Sequence, residues 1–120
     1  MKLDRRSFLL SSAVVAAKLD AKAQERQEIR AAFVGTGNRG SSLLSETLEQ
    51  HNIKVVAVCD TNPEARDKAA TAASRHQPRS YSNWKQVVDL KDVDAVFVAT
   101  PCDLHAEMAA ACLDAGKFVY

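Results

Sequence analysis

Gly35-Thr36-Gly37-Asn38-Arg39-Gly40 is a complete G-x-G-x-x-G, and about twenty residues beyond it stands an acidic residue, Asp60. In such a run the first glycine permits a sharp turn and the second leaves room for a phosphate against bare backbone. The third lets a following helix pack close to the preceding strand. Glycines also collect in ordinary strand-to-helix loops, so the six residues alone are a weak signal. Asp60 adds weight, because at the tip of a second strand its carboxylate can accept hydrogen bonds from ribose hydroxyls. Its alternative role is to cap the helix that begins near Pro63. Loop and carboxylate together predict a dinucleotide site, with the pyrophosphate at the free N–H groups of a helix N-terminus. The expected cofactor is NAD rather than NADP: Asp60 would repel a 2′-phosphate, Thr61-Asn62 add no cation, and Arg66 lies a helical turn further on.

A second group of residues, Ala99-Thr100-Pro101-Cys102-Asp103-Leu104-His105, follows the third long apolar run. In an open parallel sheet, ligands bind at the carboxyl ends of strands beside the topological switch point, and this segment falls there. Thr100 and Pro101 can line the cofactor with backbone. His105 either lies toward the nicotinamide half, as a weak catalytic candidate, or is a surface or capping residue. Asp103 suits the N-terminal turn of a helix. Arg39 is either a solvated helix residue or a phosphate-side contact. The residues expected at the cofactor are therefore Gly35, Thr36, Gly37, Asn38, Arg39, Gly40, Asp60, Thr100, Pro101 and His105. His51 and His76 read as solvated, and Trp84 reads as core. Cys59, Cys102 and Cys112 are odd in number and show no ligand spacing, so buried free thiols are expected and no metal site.

These residues need strands and helices to hold them. Ile29 to Val34 is a short apolar run ending at the glycine loop, and Ser41 to Gln50 carries Leu43, Leu44 and Leu48 on one helical face. Ile53 to Cys59 is a β-branched strand, Pro63 to Ser74 an Ala-rich helix with proline in its first turn, and Asp94 to Ala99 a third strand. Arg79-Ser80-Tyr81 reads as a short edge strand, and Asn83 to Leu90 as a short helix with Trp84, Val87 and Val88 inward. Leu104, Met108, Cys112 and Ala115 fall at helical spacing before Gly116, and a further strand begins at Phe118 and Val119. Strands without polar alternation, each followed by a helix, predict an α/β fold with a doubly wound parallel sheet covered on both faces.

The 120 residues are 47% hydrophobic and 26% charged, with 16 Lys and Arg against 15 Asp and Glu. That composition describes one globular domain. A near-zero charge and 6% aromatic residues offer neither a basic surface nor a stacking platform for nucleic acid. The N-terminal segment reads differently. Arg5-Arg6-Ser7-Phe8-Leu9, an apolar run to Ala17 and a small-x-small site at Ala21-Lys22-Ala23 follow the order of a twin-arginine (Tat) signal peptide. The run is too short to span a bilayer. Removing residues 1–23 leaves 11 basic and 13 acidic side chains, so the excess of cations belongs to the leader. Residues 24–28 form a polar linker. Tat export machinery is then a partner, with folding in the cytoplasm and a periplasmic or extracytoplasmic destination.

Phe33-Val34-Gly35-Thr36-Gly37-Asn38-Arg39-Gly40, Val55-Val56-Ala57-Val58-Cys59-Asp60, Ala99-Thr100-Pro101 with His105, and Ala115-Gly116-Lys117-Phe118-Val119 together resemble the cofactor domain of the glucose-fructose oxidoreductase/inositol dehydrogenase (Gfo/Idh/MocA) family. The resemblance runs from Ile29 to Tyr120. It implies a Rossmann fold and an NAD(P)-dependent oxidoreductase acting on a sugar, cyclitol or related polyol. It also implies a catalytic lysine in a Glu-Lys-Pro motif that would follow Tyr120. Cys102 stands where many relatives have Asn. The chain is accordingly expected to be a leader (1–23), a linker (24–28) and an NAD-binding domain (29–120) truncated before its C-terminal domain, inactive by itself and a homo-oligomer at full length. Two alternatives remain: a glycosidase resembling the NAD-dependent alpha-N-acetylgalactosaminidases, and a non-catalytic NAD-binding module.

Overall fold

In a computed structural model the described residues are 28–100 and 102–120, with the side chain of Cys102 left aside. The expected leader, nearly all of the linker, and Pro101 lie outside the described residues. Five strands, β1 (Ile29–Val34), β2 (Ile53–Cys59), β3 (Arg79–Tyr81), β4 (Ala95–Val98) and β5 (Phe118–Val119), form one sheet in the order β3-β2-β1-β4-β5. Every pairing is parallel. The helices α1 (Asn38–Leu48), α2 (Pro63–Ala72), α3 (Trp84–Val88) and α4 (Cys102–Asp114) fill the crossovers. This is the doubly wound Rossmann arrangement that the alternation of apolar runs and helices predicts.

The period-2 geometry of a strand explains why β1 is apolar from Ala31 to Val34, where both faces are covered. Ala31 and Phe33 point to one face, packed with Leu44 of α1, Ala69 of α2, Val55 and Val58. Ala32 and Val34 point to the other, packed with Val87 of α3, Met108 and Cys112 of α4, Ala57 and Val96. With a helical layer on each face, no position of β1's second half tolerates a polar side chain, and Ala31, Ala32 and Phe33 are wholly inaccessible.

Element boundaries depart from expectation where the local signal is silent. α1 begins at Asn38, three residues before Ser41, because its first turn carries no apolar residue for periodicity to register. α2 stops at Ala72 and passes into a 3₁₀ turn, Ser74–His76. α4 ends as the glycine predicts: Gly116 has φ of +79°, its N–H donates to Leu113 O (3.0 Å), and Lys117 N–H donates to Cys112 O (3.0 Å), a Schellman closure.

Two side chains bond across elements in ways that local pattern does not show. Ala31 pairs with Val55 but Ala32 pairs with Ala57, so β2 carries one extra residue, Val56, opposite that step. The Val55 N–H lies just below the start of β3, and His76 Nδ1 accepts it at 3.0 Å. His76 is thus a half-buried structural acceptor, not the solvated residue expected. Lys117 is buried, and its ammonium donates to the carbonyls of Leu90 and Val93, tying the loop before β4 to the start of β5.

Candidate functional site

β1 ends at Val34 and the chain turns into α1 through the glycine loop. Gly35 has φ of +89°, and a Cβ there would lie 2.6 Å from Ala99 C and 2.8 Å from Thr100 N, so the loop is seated on the end of β4 by backbone contact. A Cβ on Gly40 would meet Gly35 O at 1.9 Å, which is how closely the first turn of α1 folds back over the strand. Gly37 differs: a Cβ on it would meet nothing within 4 Å. It is also the N-cap of α1, and no side chain caps the helix. The first N–H groups of α1 and the bare backbone at Gly37 together present donors and space, which suits an anionic diphosphate.

β2 ends beside this loop at Cys59 and Asp60. Gly35 N–H donates to Cys59 O (2.9 Å). Asp60 Oδ2 accepts from Thr36 N–H (2.8 Å) and from Thr36 Oγ1 (3.1 Å), while Oδ1 accepts from Asn62 N–H (2.9 Å). Burial works to raise the Asp60 pKa, but the Asn62 amide, the Thr36 amide and hydroxyl, and the Arg66 charge outweigh it and hold the carboxyl below its usual range. Asp60 is therefore ionised at neutral pH. It does not cap α2; Asn62 does, its side chain accepting from Glu64 N–H at 3.0 Å. Arg66, expected a turn away, reaches back and donates to Asp60 O at 3.0 Å. A cation thus stands beside the carboxylate after all.

Between the carboxyl ends of β1, β2 and β4 lies a cleft of about 320 Å³, bounded by the glycine loop, Cys59, Asp60, Thr61, Ser82, Trp84, Ala99, Thr100, Leu104 and Met108. It occupies the switch point, where the crossover from β1 leaves one way and that from β4 the other. Trp84, expected as core, is half-buried: it packs on the core beneath and forms part of the cleft wall. Cys59 is buried there, and burial together with the neighbouring Asp60 charge pushes its thiol up to about 11. At neutral pH it is an inert apolar wall.

The structure brings Gly35, Gly37, Asp60 and Thr100 around one opening, while Thr36 is buried and bonded to Asp60, and Gly40 is buried in the first turn of α1. Asn38 and Arg39 sit exposed on the first turn of α1. His105 does not stand free: its Nε2 lies against the carbonyl of Thr100, in the loop between β4 and α4. The Thr100 hydroxyl points to Met108 Sδ (3.4 Å). Sequence reasoning missed the Thr36–Asp60 bonds, the return of Arg66 and the apolar wall of Trp84, Leu104 and Met108. Only the wall left a trace in sequence, as the inward spacing of Leu104 and Met108.

Residues 29–120 match the Gfo/Idh/MocA family, described as "Oxidoreductase family, NAD-binding Rossmann fold". The chain belongs to that family. Among curated relatives, a glycosyl hydrolase family 109 protein of Stenotrophomonas maltophilia is 37% identical over 98% of this chain and 29% of its own length. One from Streptomyces niveus is 39% identical over 80% of this chain and 21% of its own. Among solved structures, myo-inositol dehydrogenase from Lactobacillus casei, in complex with NAD(H) and myo-inositol, superposes with a TM-score of 0.71 at 26% identity, covering 77% of this chain and 27% of that one. This Gfo/Idh/MocA chain spans less than a third of the length of each of these proteins.

Proposed function

We propose that this chain is the NAD-binding part of an exported enzyme that moves hydride to and from a carbon of a sugar or cyclitol. The observation that carries the reading is the uncapped start of α1 at the open Gly37, set against the ionised Asp60 across the cleft mouth. Donors for a pyrophosphate and an acceptor for a ribose stand there at the two ends of one opening. When bound, a nicotinamide dinucleotide supplies a two-electron hydride acceptor and donor. This chain's residues bind and orient: Gly37, Asn38 and Arg39 at the phosphates, Asp60 at the adenosine ribose, and Thr100 and Pro101 toward the nicotinamide half. His105 supports the last of these by holding the Thr100 carbonyl. Charge at Asp60 favours NAD over NADP, and the twin-arginine segment Arg5-Arg6-Ser7-Phe8-Leu9 favours export in the folded state.

A second reading concerns the net outcome. The curated relatives named above are glycosyl hydrolases, which favours a reaction in which hydride removed from the sugar is returned to it after the glycosidic bond breaks. One assay separates the outcomes. The NAD-loaded full-length protein is given free cyclitols and sugars in one arm and nitrophenyl glycosides in the other. Accumulation of NADH at 340 nm with the free polyols marks a dehydrogenase. Release of nitrophenol without accumulation of NADH marks a glycosidase. Binding of NAD with neither product would overturn both and leave a non-catalytic module.

A further inference from the structure

Asp60 has few acceptor positions left to give. A carboxylate offers about four lone-pair sites, two on each oxygen. Both sites on Oδ2 are taken by the amide and hydroxyl of Thr36, at 2.8 and 3.1 Å, and one on Oδ1 is taken by Asn62 N–H at 2.9 Å. Thr36 is itself buried, 4% exposed, so its hydroxyl has no ready exchange with water. The two residues are also held from behind. The Gly35 amide bonds Cys59 O, and the Asp60 amide bonds Tyr81 O at 3.2 Å, which continues the ladder from β2 to β3. Rotating the carboxylate to free Oδ2 would leave a buried amide and a buried hydroxyl without an acceptor, which is costly.

We infer that Thr36 is a positioning residue for cofactor recognition, fixing Asp60 through Oδ2 so that Oδ1 alone accepts a single hydroxyl of the adenosine ribose. This rests on the dinucleotide reading above and deepens it. A carboxylate that is free to turn can take both hydroxyls of a vicinal diol, one on each oxygen. Here one oxygen is occupied by the phosphate loop, so ribose and pyrophosphate recognition meet in one residue. Thr36 carries its amide in the loop that receives the phosphates and its hydroxyl on the group that receives the sugar.

The test measures binding to the full-length protein by calorimetry, with NAD and its analogues lacking either the 2′- or the 3′-hydroxyl of the adenosine ribose. In the wild type one analogue should bind about tenfold more weakly than NAD and the other nearly as well. This arm needs no variant, so it stands even where a substitution fails to fold. Thr36→Val should weaken NAD about tenfold and shrink the difference between the two analogues, whereas Thr36→Ser should restore both. The acid limb of the binding profile should move to higher pH in Thr36→Val, since the carboxylate loses a donor that favours its ionised form. Equal losses for both analogues would overturn the single-oxygen contact. A Thr36→Val protein that binds NAD weakly but keeps the full discrimination and an unmoved acid limb would reduce Thr36 to a structural role and overturn the inference. A wild type that binds no NAD at all would sink the dinucleotide reading itself, and this inference with it.

Discussion

Gly37 and Gly40 are three residues apart and answer to opposite constraints, which gives a test that separates folding from binding. A methyl on Gly40 would collide with the Gly35 carbonyl at 1.9 Å, and both are backbone, so neither can swing aside. Gly40→Ala should cost about 2–3 kcal/mol in urea denaturation. A methyl on Gly37 meets only open space, so Gly37→Ala should unfold within about 0.5 kcal/mol of wild type. The same methyl would stand where a pyrophosphate must approach, so NAD affinity should fall about tenfold or more; undiminished affinity would move the phosphates elsewhere. Cofactor choice is a second matter for single residues. The Asp60 charge opposes a 2′-phosphate, while the Arg66 guanidinium at Asp60 O offsets part of that repulsion. NAD should therefore bind about tenfold tighter than NADP, Asp60→Ala should narrow the gap, and Arg66→Ala should widen it. Tighter NADP binding by the wild type would refute the assignment. At this scale the sequence disclosed what depends on backbone alone, since the spacing of three glycines already implies a turn, a gap and a close approach. It did not disclose that Thr36 bonds Asp60, because the motif leaves that side chain free, nor that Arg66 returns to Asp60, because distance counted along the chain is not distance through space.

Among the elements, the sheet and its helices followed from apolar runs and their punctuation, whereas the contacts at their ends did not. α1 was readable from Leu43, Leu44 and Leu48, yet its first turn of Asn38, Arg39 and Gly40 carries no apolar residue to mark it. His76 was misread for a related reason. A histidine in a polar stretch reads as solvated until the strand whose amide it accepts is brought beside it. That bond makes the join between the 3₁₀ turn and β2 sensitive to pH. Burial first, then the charges of Arg75 and Lys54, hold the His76 pKa below 6.5, with Glu28 opposing them; His51 and Glu49 line the same surface hollow. The unfolded chain therefore takes up its proton at a higher pH than the folded one. The stability contributed is full above pH 6.5 and is lost as the pH falls through the lower folded-state value. His76→Asn keeps a side-chain acceptor that does not titrate. Melting temperatures of the two proteins between pH 8 and 5 should converge on one trend above 6.5 and separate below it, with the wild type falling faster. Parallel curves would show that His76 does not act through Nδ1. Lys117 gives a companion case: Lys117→Met leaves the Leu90 and Val93 carbonyls without its ammonium and should cost about 2–4 kcal/mol.

For the whole molecule, the order β3-β2-β1-β4-β5 puts the first strand after the expected leader at the centre of the sheet. β1 pairs on one side with β2, about 24 residues on, and on the other with β4, where Ala31 meets Ala95. Its second pairing cannot form until more than sixty further residues have been made, and such non-local parallel pairings form slowly. The glycine loop is likewise complete only when the end of β4 closes against Gly35. A cofactor site built this way exists in the folded state alone, so on the export reading proposed above its dinucleotide would have to be loaded before the chain leaves the cytoplasm. A route that threads an unfolded chain would pull β1 out of its sheet and discard the site, whereas a twin-arginine route carries the folded protein with its cofactor. Changing Arg5 and Arg6 together to lysine keeps the positive charge and removes the paired guanidinium groups that such a route reads. In a host with Tat machinery the doubly substituted precursor should stay in the cytoplasm, folded and able to bind NAD, while the wild type is found outside it carrying NAD. Export of the substituted protein at the wild-type level would refute the assignment. Wild-type protein recovered outside the cytoplasm without cofactor would break the link between the depth of β1 in the sheet and the choice of route.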